Sequence, residues 1–465
     1  MMKFIDREKE IEFLERKYKS KEAELLILYG RRRIGKTEMI LNFCENKDSA
    51  YFIGRLESRE DTIKRFNNLI LEKFNDEKLL NSPLQNWDAT FDYITEKVEK
   101  RFIFVFDEFP FIVDRFPEII SILQDKWDAK LQKNPNLMII LCGSSISMME
   151  KYAIDYQSPL YGRRTGQWKV EKMKINYLKD FFPKYNTEEL IKLYSCLDTI
   201  PGYMVKFSPA KDLFSNIEEK ILSKGEFLYE EIEILLREEF RDPSNYMSII
   251  SSIAGGLTTF NEVHNRTKLD KSLLSKYLYI LENLGIIEKI IPVTESFKTK
   301  LKFKGALYLL KDNFFDFWFR FVYINKQELE KGNAKIVLKS MKEDIERYIS
   351  RKFERFIIEL LPLIEIWNFE KFGKWWHKSQ EIDIVAINEK NREILFGECK
   401  WQEQVNAEKI LKELNEKAKF VQWNNEKRKE YFAIFAKSFK RKISEFEGKK
   451  AYCFDLKDIK KLIGK

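Results

Sequence analysis

The sequence predicts an α/β protein in which a parallel sheet with flanking helices is followed by a helical unit and a second, smaller α/β unit. Short apolar runs alternate with helix-like stretches over roughly the first 180 residues. Helical periodicity dominates from about residue 185 to about residue 340, and strand-like runs return after about residue 345. Strands separated by helices are typical of βαβ crossovers, which build parallel sheets. We therefore expect units over residues 1–180, 181–240, 241–340 and 341–465.

The composition excludes several classes of protein. Of the 465 residues, 44% are apolar, and 83 basic residues nearly balance 74 acidic ones, which excludes a disordered polyelectrolyte. We expect no membrane partner and a cytoplasmic protein, because no long uncharged apolar run exists and the N-terminus contains acidic residues where a secretory signal is apolar. Five scattered cysteines and two histidines argue against a zinc site or a disulfide framework, so any metal ion should be bound by carboxylates.

The first unit opens with an amphipathic pattern that predicts a helix over 8–18. Apolar runs over 25–29, 102–106 and 137–142 predict three buried parallel strands, and a helix-like stretch over 37–46 follows the first of them. The carboxyl ends of parallel strands lie at one edge of the sheet, which is where ligands bind in such folds.

The residues after the first strand read GRRRIGKT and match the phosphate-binding pattern G-x4-G-K-[ST]. The glycines let the backbone curl so that several N–H groups point at a phosphate, and the following helix adds its positive dipole end. Lys36 would neutralise the β and γ phosphates, and Thr37 would offer its hydroxyl to Mg²⁺. The pattern therefore predicts ATP and Mg²⁺ as ligands. The expected nucleotide-binding residues are Gly30, Arg31, Arg32, Arg33, Ile34, Gly35, Lys36, Thr37 and Glu38.

Two carboxylates end the second buried strand. Asp107 is placed to bind Mg²⁺ and its waters, and Glu108 to polarise the attacking water. The third strand is followed by Gly-Ser-Ser, in which Ser144 or Ser145 would contact the γ-phosphate or the water. The same three residues also make an ordinary turn, which is the alternative interpretation.

Two arginines, Arg163 and Arg164, stand in the run YGRRTG. Arginine can stabilise the charge on a transferring phosphoryl group, either within its own chain or from a neighbouring subunit, which would require a homo-oligomer. Surface or salt-bridged arginines are the alternative interpretation.

The order of these motifs resembles the archaeal ATPase family, a branch of the AAA-type P-loop proteins often joined to a C-terminal domain of unassigned function. The resemblance is carried by FIDREKEI at 4–11, the phosphate loop, FDEF at 106–109, CGSS at 142–145 and LYGRRT at 160–165. The later stretch IPGY at 200–203 is similar to a Gly-Pro-Tyr stretch of the family but departs from it in detail. The resemblance implies a P-loop NTPase core over 1–180, whose start lies near the nucleotide base, and a helical, lid-like subdomain over 181–240.

Residues 246–291 resemble a winged helix-turn-helix. Helices are expected to begin at 246 and 260, a third helix covers 270–283, and 284–288 ends that helix and starts a wing strand. Such a third helix can enter a DNA major groove. The same architecture also serves as a packing or protein-contact module, and His264 is expected to have no chemical role. The lysines placed to contact DNA phosphates are Lys268, Lys271 and Lys276.

The last unit carries a second group of chemically active residues. A helix over 343–361 precedes strands over 382–387 and 394–397. Asp383 on the first strand and Glu398 and Lys400 at the end of the second are expected on one face, where they could bind Mg²⁺ and activate water.

This pattern resembles the restriction-endonuclease-like nuclease core, D-x(n)-E-x-K, to which Glu354 in the preceding helix could add an oxygen. An inactive remnant or ordinary surface charge is the alternative. Residues 351–465 contain 26 basic and 19 acidic residues, a basic surplus that favours DNA or RNA as a partner or reflects a solvated lysine-rich surface. Three tryptophans near the site could stack on bases or pack in the core: Trp375, Trp376 and Trp401.

Three functions follow from these patterns. The first is a Mg²⁺-dependent ATPase coupled to nucleic-acid binding or cleavage. The second is a nucleotide-controlled regulatory switch that binds DNA or protein and carries an inactive nuclease-like domain. The third is a nuclease that the ATPase licenses.

Overall fold

The computed structural model describes residues 5–295, 303, 305–365 and 367–464. The chain forms two compact units, Met1–Met173 and Lys174–Lys465. Within the described part of the chain, every helix is too short or too polar to span a bilayer.

The first unit contains a parallel sheet flanked by helices. Its strands are β1 (Glu24–Tyr29), β2 (Ser49–Ile53), β3 (Phe102–Asp107), β4 (Leu137–Gly143) and β5 (Gly166–Lys169). Its helices are α1 (Glu8–Tyr18), α2 (Lys36–Cys44), α3 (Arg59–Phe74), α4 (Lys78–Asn81), α5 (Trp87–Lys97), α6 (Phe109–Arg115), α7 (Ile119–Ala129) and α8 (Ile146–Met149).

The strand order is β2-β3-β4-β1-β5, and every neighbouring pair is parallel. Strands β1, β3 and β4 are apolar and almost wholly buried, as strands covered by helices on both faces must be. This order places β1 beside β4 and β4 beside β3, so the carboxyl ends of the three strands meet at one edge. The predicted fold class, the three strands and the helix over 8–18 are confirmed.

An aromatic core fixes the position of β2 and β3 against the helices. The rings of Phe52, Phe66, Trp87 and Phe106 lie in mutual edge or stacked contact, with centroids 5.1–6.4 Å apart. All four are almost fully buried. Aromatic pairs at these separations add to the free energy of burial, so the end of β3 that carries Asp107 rests on a rigid layer.

The second unit begins with helices and a small hairpin. Its helices are α9 (Leu178–Phe181), α10 (Thr187–Leu197), α11 (Pro201–Met204), α12 (Leu213–Lys220), α13 (Phe227–Glu239), α14 (Ser244–Ala254), α15 (Phe260–Thr267), α16 (Lys271–Asn283), α17 (Asn313–Phe317), α18 (Lys326–Glu330), α19 (Ala334–Leu360), α20 (Ala407–Ala418) and α21 (Leu456–Ile463). Strands β6 (Ile287–Ile290) and β7 (Leu307–Leu310) pair in antiparallel fashion after α16. Part of the connection between them lies outside the described residues.

The second unit ends in a mixed α/β sheet. The strands of its C-terminal part are β8 (Lys371–His377), β9 (Gln380–Asn388), β10 (Glu393–Lys400), β11 (Val405–Asn406), β12 (Lys429–Ala436), β13 (Phe439–Arg441), β14 (Glu445–Phe446) and β15 (Lys449–Phe454). Six of them form a sheet in the order β14-β15-β12-β10-β9-β8, in which β10–β12 and β12–β15 are parallel. The sheet confirms the predicted small α/β domain, and α19 and α20 both contact β9 and β10.

One expectation about this region was wrong in its extent. The helix predicted over 343–361 begins nine residues earlier, at Ala334, because its apolar residues Val337, Leu338 and Met341 are buried as well. The two predicted strands are real, but they are part of a sheet of six. Strands β8 and β15 begin with lysine and are only partly buried, a pattern that also fits an exposed loop, whereas the apolar run of β12 was a strand signal that went unused.

Candidate functional site

The loop between β1 and α2 has the backbone that a phosphate cradle needs. Gly30 has a φ of 155° and Gly35 a φ of 87°, both in the region that favours glycine. A Cβ atom at Gly30 would lie 2.4 Å from the carbonyl oxygen of Val170, so no larger residue fits there. Gly35 also caps the N-terminus of α2. The first N–H groups of this nine-residue helix therefore follow directly on the loop.

Lys36 lies folded into this loop. Its Nζ atom donates hydrogen bonds to the carbonyl oxygens of Gly30, at 2.8 Å, and Arg31, at 2.9 Å. Only 6% of the residue is exposed, and this burial lowers the pKa of the ammonium group. Charged phosphate oxygens are stronger acceptors than carbonyls, so the ammonium is available for exchange onto a polyphosphate.

Asp107 is the centre of a hydrogen-bond network beside the loop. Thr37 Oγ1 donates to Asp107 Oδ2 at 3.0 Å, and the Tyr51 hydroxyl donates to the same oxygen. The backbone N–H of Glu108 donates to Asp107 Oδ1 at 2.9 Å. The carboxylate is 3% exposed, so nearly all of its polar contacts are with the protein. The structure thus brings the predicted pair Thr37 and Asp107 into direct contact.

Glu108 is held by the serine that follows β4. Ser144 Oγ lies 2.8 Å from both carboxylate oxygens of Glu108. Glu108 has a φ of 48°, an uncommon conformation for a residue other than glycine. The structure therefore joins the predicted water-activating carboxylate to the predicted sensor residue. Strain at such a position is a known feature of functional sites.

The donor set around Thr37 and Asp107 fits Mg²⁺. A hydroxyl and a carboxylate are hard oxygen donors, and Mg²⁺ in phosphate sites typically uses one or two carboxylates together with phosphate oxygens and waters. Among the described residues, no group of three or more His, Cys, Asp or Glu side chains is arranged to hold a metal ion by itself. A Mg²⁺ ion at Asp107 would accordingly bind together with the nucleotide.

The other predicted loop residues surround this centre. Ile34 is buried, Arg31 and Arg32 are half-buried, and Arg33 and Glu38 are exposed. Arg7, which the sequence analysis did not single out, is 4% exposed and donates from Nη2 to the carbonyl oxygen of Ile34 at 2.7 Å. The N-terminal segment that carries the FIDREKEI stretch therefore contacts the phosphate loop directly.

Arg163 and Arg164 bond to residues outside the phosphate loop, although the positive charge of Arg164 opposes the rise that burial causes in the pKa of Tyr29, the residue before Gly30. Their backbone precedes β5, at the amino-terminal end of its pairing with β1, and Thr165 N–H bonds Leu25 O. Arg163 forms an ion pair with Asp128 at 2.8 Å. Arg164 donates to carbonyl oxygens of its own segment, at Tyr161 and Ile154, and lies over the Tyr161 ring. These contacts favour structural roles within the chain.

The second predicted site does assemble around β9 and β10. The antiparallel register pairs Ile384 with Gly397, so Asp383 and Glu398 are the next residues along. Asp383 Oδ2 accepts a hydrogen bond from the Cys399 N–H at 2.9 Å, and Lys400 Nζ lies 2.7 Å from Glu398 Oε1.

Two further carboxylates affect Asp383. Burial, the charge of Glu354 and the charge of Glu398 together raise the pKa of Asp383 to about 7. Two lysines partly neutralise the neighbouring carboxylates Glu354 and Glu398. Lys374 forms an ion pair with Glu354, and Lys417 Nζ lies 3.3 Å from Glu398 Oε2. Glu354, Glu398 and Lys400 are thus linked to Asp383 by charge or through ion pairs, together with two lysines that sequence reasoning missed. Among the described residues, these carboxylates do not form a group arranged to hold a metal ion by themselves.

Other predicted residues have ordinary surroundings. His264 Nδ1 lies 2.8 Å from the carbonyl oxygen of Leu269, a contact that closes the turn after α15. Trp375 and Trp401 are buried, at 4% and 6% exposure, so they are core residues and not free stacking surfaces. Trp376 is half-buried and donates to the carbonyl oxygen of Gly305.

Strand β2 supplies the residues of the first site that the sequence analysis missed. Tyr51 contacts Asp107, and Gly54 packs so closely that a Cβ atom there would lie 2.4 Å from the carbonyl oxygen of Glu108. The signal was present as a short run, SAYFIG, whose buried residues Ala50 and Phe52 alternate with more exposed ones. Its brevity and its single buried face hid it among loop residues.

Comparison with known proteins agrees with this geometry. The model of an ATPase domain predominantly from Archaea matches residues 4–207, and the model of archaeal and bacterial proteins of unknown function matches residues 318–410. The first match confirms the archaeal ATPase resemblance. The second does not establish a nuclease.

Two relatives are similar to this chain in sequence, and one solved structure is similar to it in fold. The uncharacterized protein MJECL04 of Methanocaldococcus jannaschii is 35% identical over 463 residues, which is 98% of this chain and 100% of that protein. The uncharacterized ATP-binding protein MJ0423 of the same organism is 59% identical over 44 residues, 10% of this chain and 75% of that protein. The structure of the Walker-type ATPase PABY2304 of Pyrococcus abyssi has a TM-score of 0.51 and 23% identity, covering 68% of this chain and 96% of that one. Residues 4–207 of this chain match the ATPase domain predominantly from Archaea, and since MJECL04 matches over nearly the whole of both sequences, the chain belongs to the family of MJECL04.

Proposed function

We propose that this protein binds ATP together with Mg²⁺ and hydrolyses it at the loop between β1 and α2. The proposal rests on one observation above all: Lys36, Thr37, Asp107 and Glu108 meet at the carboxyl edge of the sheet, in hydrogen-bond contact with one another or with the loop. Separate strands and loops supply these groups, and such convergence is what phosphoryl transfer requires.

Each residue has a distinct role in this reaction. The loop N–H groups and Lys36 bind the β and γ phosphates, and Thr37 and Asp107 hold the metal ion, which neutralises phosphate charge when bound. Glu108 accepts a proton from the water that attacks the γ-phosphorus, and Ser144 orients the Glu108 carboxylate towards that water. ADP and phosphate are then released.

Steady-state hydrolysis of ATP by the purified chain tests this proposal. We expect Glu108→Gln to lower kcat by about a hundredfold or more, the usual effect of losing a general base, while ATP still binds. Glu72→Gln, at an exposed glutamate on α3, is the matched control and should leave kcat unchanged. Hydrolysis that stays at background in the wild-type chain, with or without polynucleotide, would overturn the enzymatic assignment.

A nucleic-acid partner for the second unit is supported by the arrangement of α14, α15 and α16 before the β6–β7 hairpin. An isolated bridge between Thr259 and Leu307 also connects the start of α15 to the hairpin, which supports the winged-helix interpretation. The outer face of α16 carries exposed Lys271, Ser275, Lys276 and Tyr279, a set suited to phosphates and base edges.

The strength of DNA binding at two salt concentrations tests this partner. Replacing Lys271 and Lys276 by Glu should weaken duplex binding and reduce its dependence on salt, since each phosphate contact releases counterions. Replacing Lys335 and Lys339 of α19 by Glu makes the same charge change elsewhere and is the control. Equal binding by both double variants would remove α16 as the DNA contact.

The convergence of Glu354, Asp383, Glu398 and Lys400 supports a second activity, metal-dependent cleavage of nucleic acid. Two carboxylates and a lysine at a strand pair can hold Mg²⁺ and activate water. Asp383→Asn should then abolish cleavage of DNA or RNA in Mg²⁺ or Mn²⁺ without changing ATP hydrolysis. If the wild-type chain cleaves no substrate, the cleavage proposal is wrong, and the residues are an inactive remnant or ordinary charged groups.

A nucleotide-controlled switch differs from an ATPase and from a nuclease because its affinity for a partner depends on the bound nucleotide. Because Glu108→Gln should trap ATP, it allows partner affinity to be compared in ATP, ADP and nucleotide-free states. Affinity for DNA that changes with the nucleotide supports the switch. Equal affinity in all three states excludes it.

A further inference from the structure

The hydroxyl of Tyr51 occupies a specific place in the ATPase site. It donates a hydrogen bond to Asp107 Oδ2, the same oxygen that accepts from Thr37 Oγ1 at 3.0 Å. Asp107 Oδ1 is bound separately by the N–H of Glu108. Both oxygens are therefore fixed, and the orientation of the carboxylate depends on Tyr51 as well as on the loop.

The register of the sheet explains why a tyrosine stands at this position. Ile53 on β2 pairs with Asp107 on β3, and Tyr51 pairs with Val105. Two residues along a strand correspond to about 7 Å, so the side chain of Tyr51 must reach from a position well behind the strand end. A phenol spans that distance and ends in a donor, whereas the hydroxyl of serine or threonine is too close to its own backbone.

The hydroxyl of Tyr51 is the donor in this hydrogen bond, because a carboxylate oxygen can only accept. A donor directed at a metal-binding carboxylate orients it without competing for the ion.

We propose that Tyr51 is a positioning residue for the Mg²⁺–nucleotide complex, acting through Asp107. This inference rests on the proposed ATPase function. Thr37 would offer an oxygen lone pair to the ion while its hydroxyl still donates to Asp107 Oδ2, and Tyr51 donates to the same oxygen. Loss of the phenol hydroxyl therefore weakens binding that depends on Mg²⁺ and spares binding of nucleotide to the loop alone.

The chain contains a matched control for a tyrosine bonded to an aspartate. Tyr93 on α5 donates to Asp76 Oδ2 at 3.0 Å in the same unit. Asp76 follows Phe74, whose ring stacks on Phe102 at the amino-terminal end of β3, away from the edge that holds Asp107. Tyr93→Phe removes the same chemical group from a bond that has no part in the ATPase site.

Binding of a fluorescent ADP or ATP analogue, first in EDTA and then over a Mg²⁺ titration, tests the proposal in the full chain. For Tyr51→Phe we expect the half-saturating Mg²⁺ concentration to rise about tenfold, the effect of losing a hydrogen bond to a charged group. Affinity in EDTA should stay within about twofold of wild type. Tyr93→Phe should match the wild type in both measurements.

The outcomes separate this inference from the function on which it rests. If the wild-type chain binds no nucleotide under either condition, the ATPase proposal itself is wrong. If the wild type shows Mg²⁺-dependent binding and Tyr51→Phe has the same Mg²⁺ requirement as Tyr93→Phe, the role of Tyr51 is overturned. The number of nucleotide sites measured in EDTA gives the fraction of the protein that is folded. If Tyr51→Phe is less stable, that number falls. The half-saturating Mg²⁺ concentration of the folded fraction can still be compared with that of the wild type.

Discussion

The hydrogen bond between Ser144 and Glu108 is the residue-scale feature with the clearest kinetic consequence. Ser144 Oγ contacts both carboxylate oxygens, so its removal leaves the Glu108 side chain free to rotate away from the attacking water. We predict that Ser144→Ala lowers kcat about tenfold, consistent with loss of a hydrogen bond to a charged group, with little change in ATP affinity. Ser82→Ala, at an exposed serine that follows α4, is the control. A kcat equal to that of wild type would show that Ser144 does not orient Glu108.

The raised pKa of Asp383 predicts a stability that depends on pH. A carboxyl with a folded-state pKa of about 7 and an unfolded value near 4 binds more protons in the folded state between these limits. The free energy of unfolding should therefore fall as pH rises from about 4 to about 7 and level off above.

Hydrogen exchange of the β9 and β10 amides measures this effect locally. Protection should decrease over that pH range in the wild-type chain without divalent cations, and Asp383→Asn should remove the decrease. Adding Mn²⁺ above pH 7 should restore protection in the wild type alone if the carboxylates bind metal. A wild-type profile that does not change with pH would contradict the proposed crowding of charges.

At the scale of elements, the phosphate loop depends on two glycines for different reasons. Gly30 lacks room, because a Cβ atom would collide with the carbonyl oxygen of Val170, whereas Gly35 has open space and only requires a positive φ. We predict that Gly35→Ala costs about 1–2 kcal/mol of unfolding free energy, the cost of the left-handed conformation, and that Gly30→Ala costs more because backbone must move. Chemical denaturation of both variants checks the order. A smaller loss at Gly30 would contradict the packing of the loop against Val170.

The elements also show what a sequence can and cannot reveal. Strands β1, β3 and β4 were predictable because wholly buried strands are continuous apolar runs, and the phosphate loop because its chemistry demands fixed residues at fixed spacing. Strand β2 and its residue Tyr51 were not predictable, because a strand with one buried face shows only a short alternation of buried and exposed residues. Contacts such as Tyr51 with Asp107 depend on strand order, and no local pattern encodes that order.

At the scale of the whole molecule, a first unit that matches an ATPase domain precedes a second unit that ends in a site lined by lysines and carboxylates. The finer domain boundaries at 240 and 340, the winged helix and the nuclease-like activity remain predictions. DNA binding and nucleic-acid cleavage each have an experiment of their own, and ATP can control either activity only if the first unit binds nucleotide.

Calorimetric titration of ATP into the full chain in the presence of Mg²⁺ measures whether the loop between β1 and α2 binds the nucleotide. We predict saturable binding at one site per chain, weakened at least about a hundredfold by Lys36→Ala, since two or more charged contacts to phosphate are lost. Lys73→Ala, at an exposed lysine of α3, should bind as the wild type does. No heat of binding in the wild type, or equal affinity in Lys36→Ala, would contradict the claim that this loop holds the nucleotide.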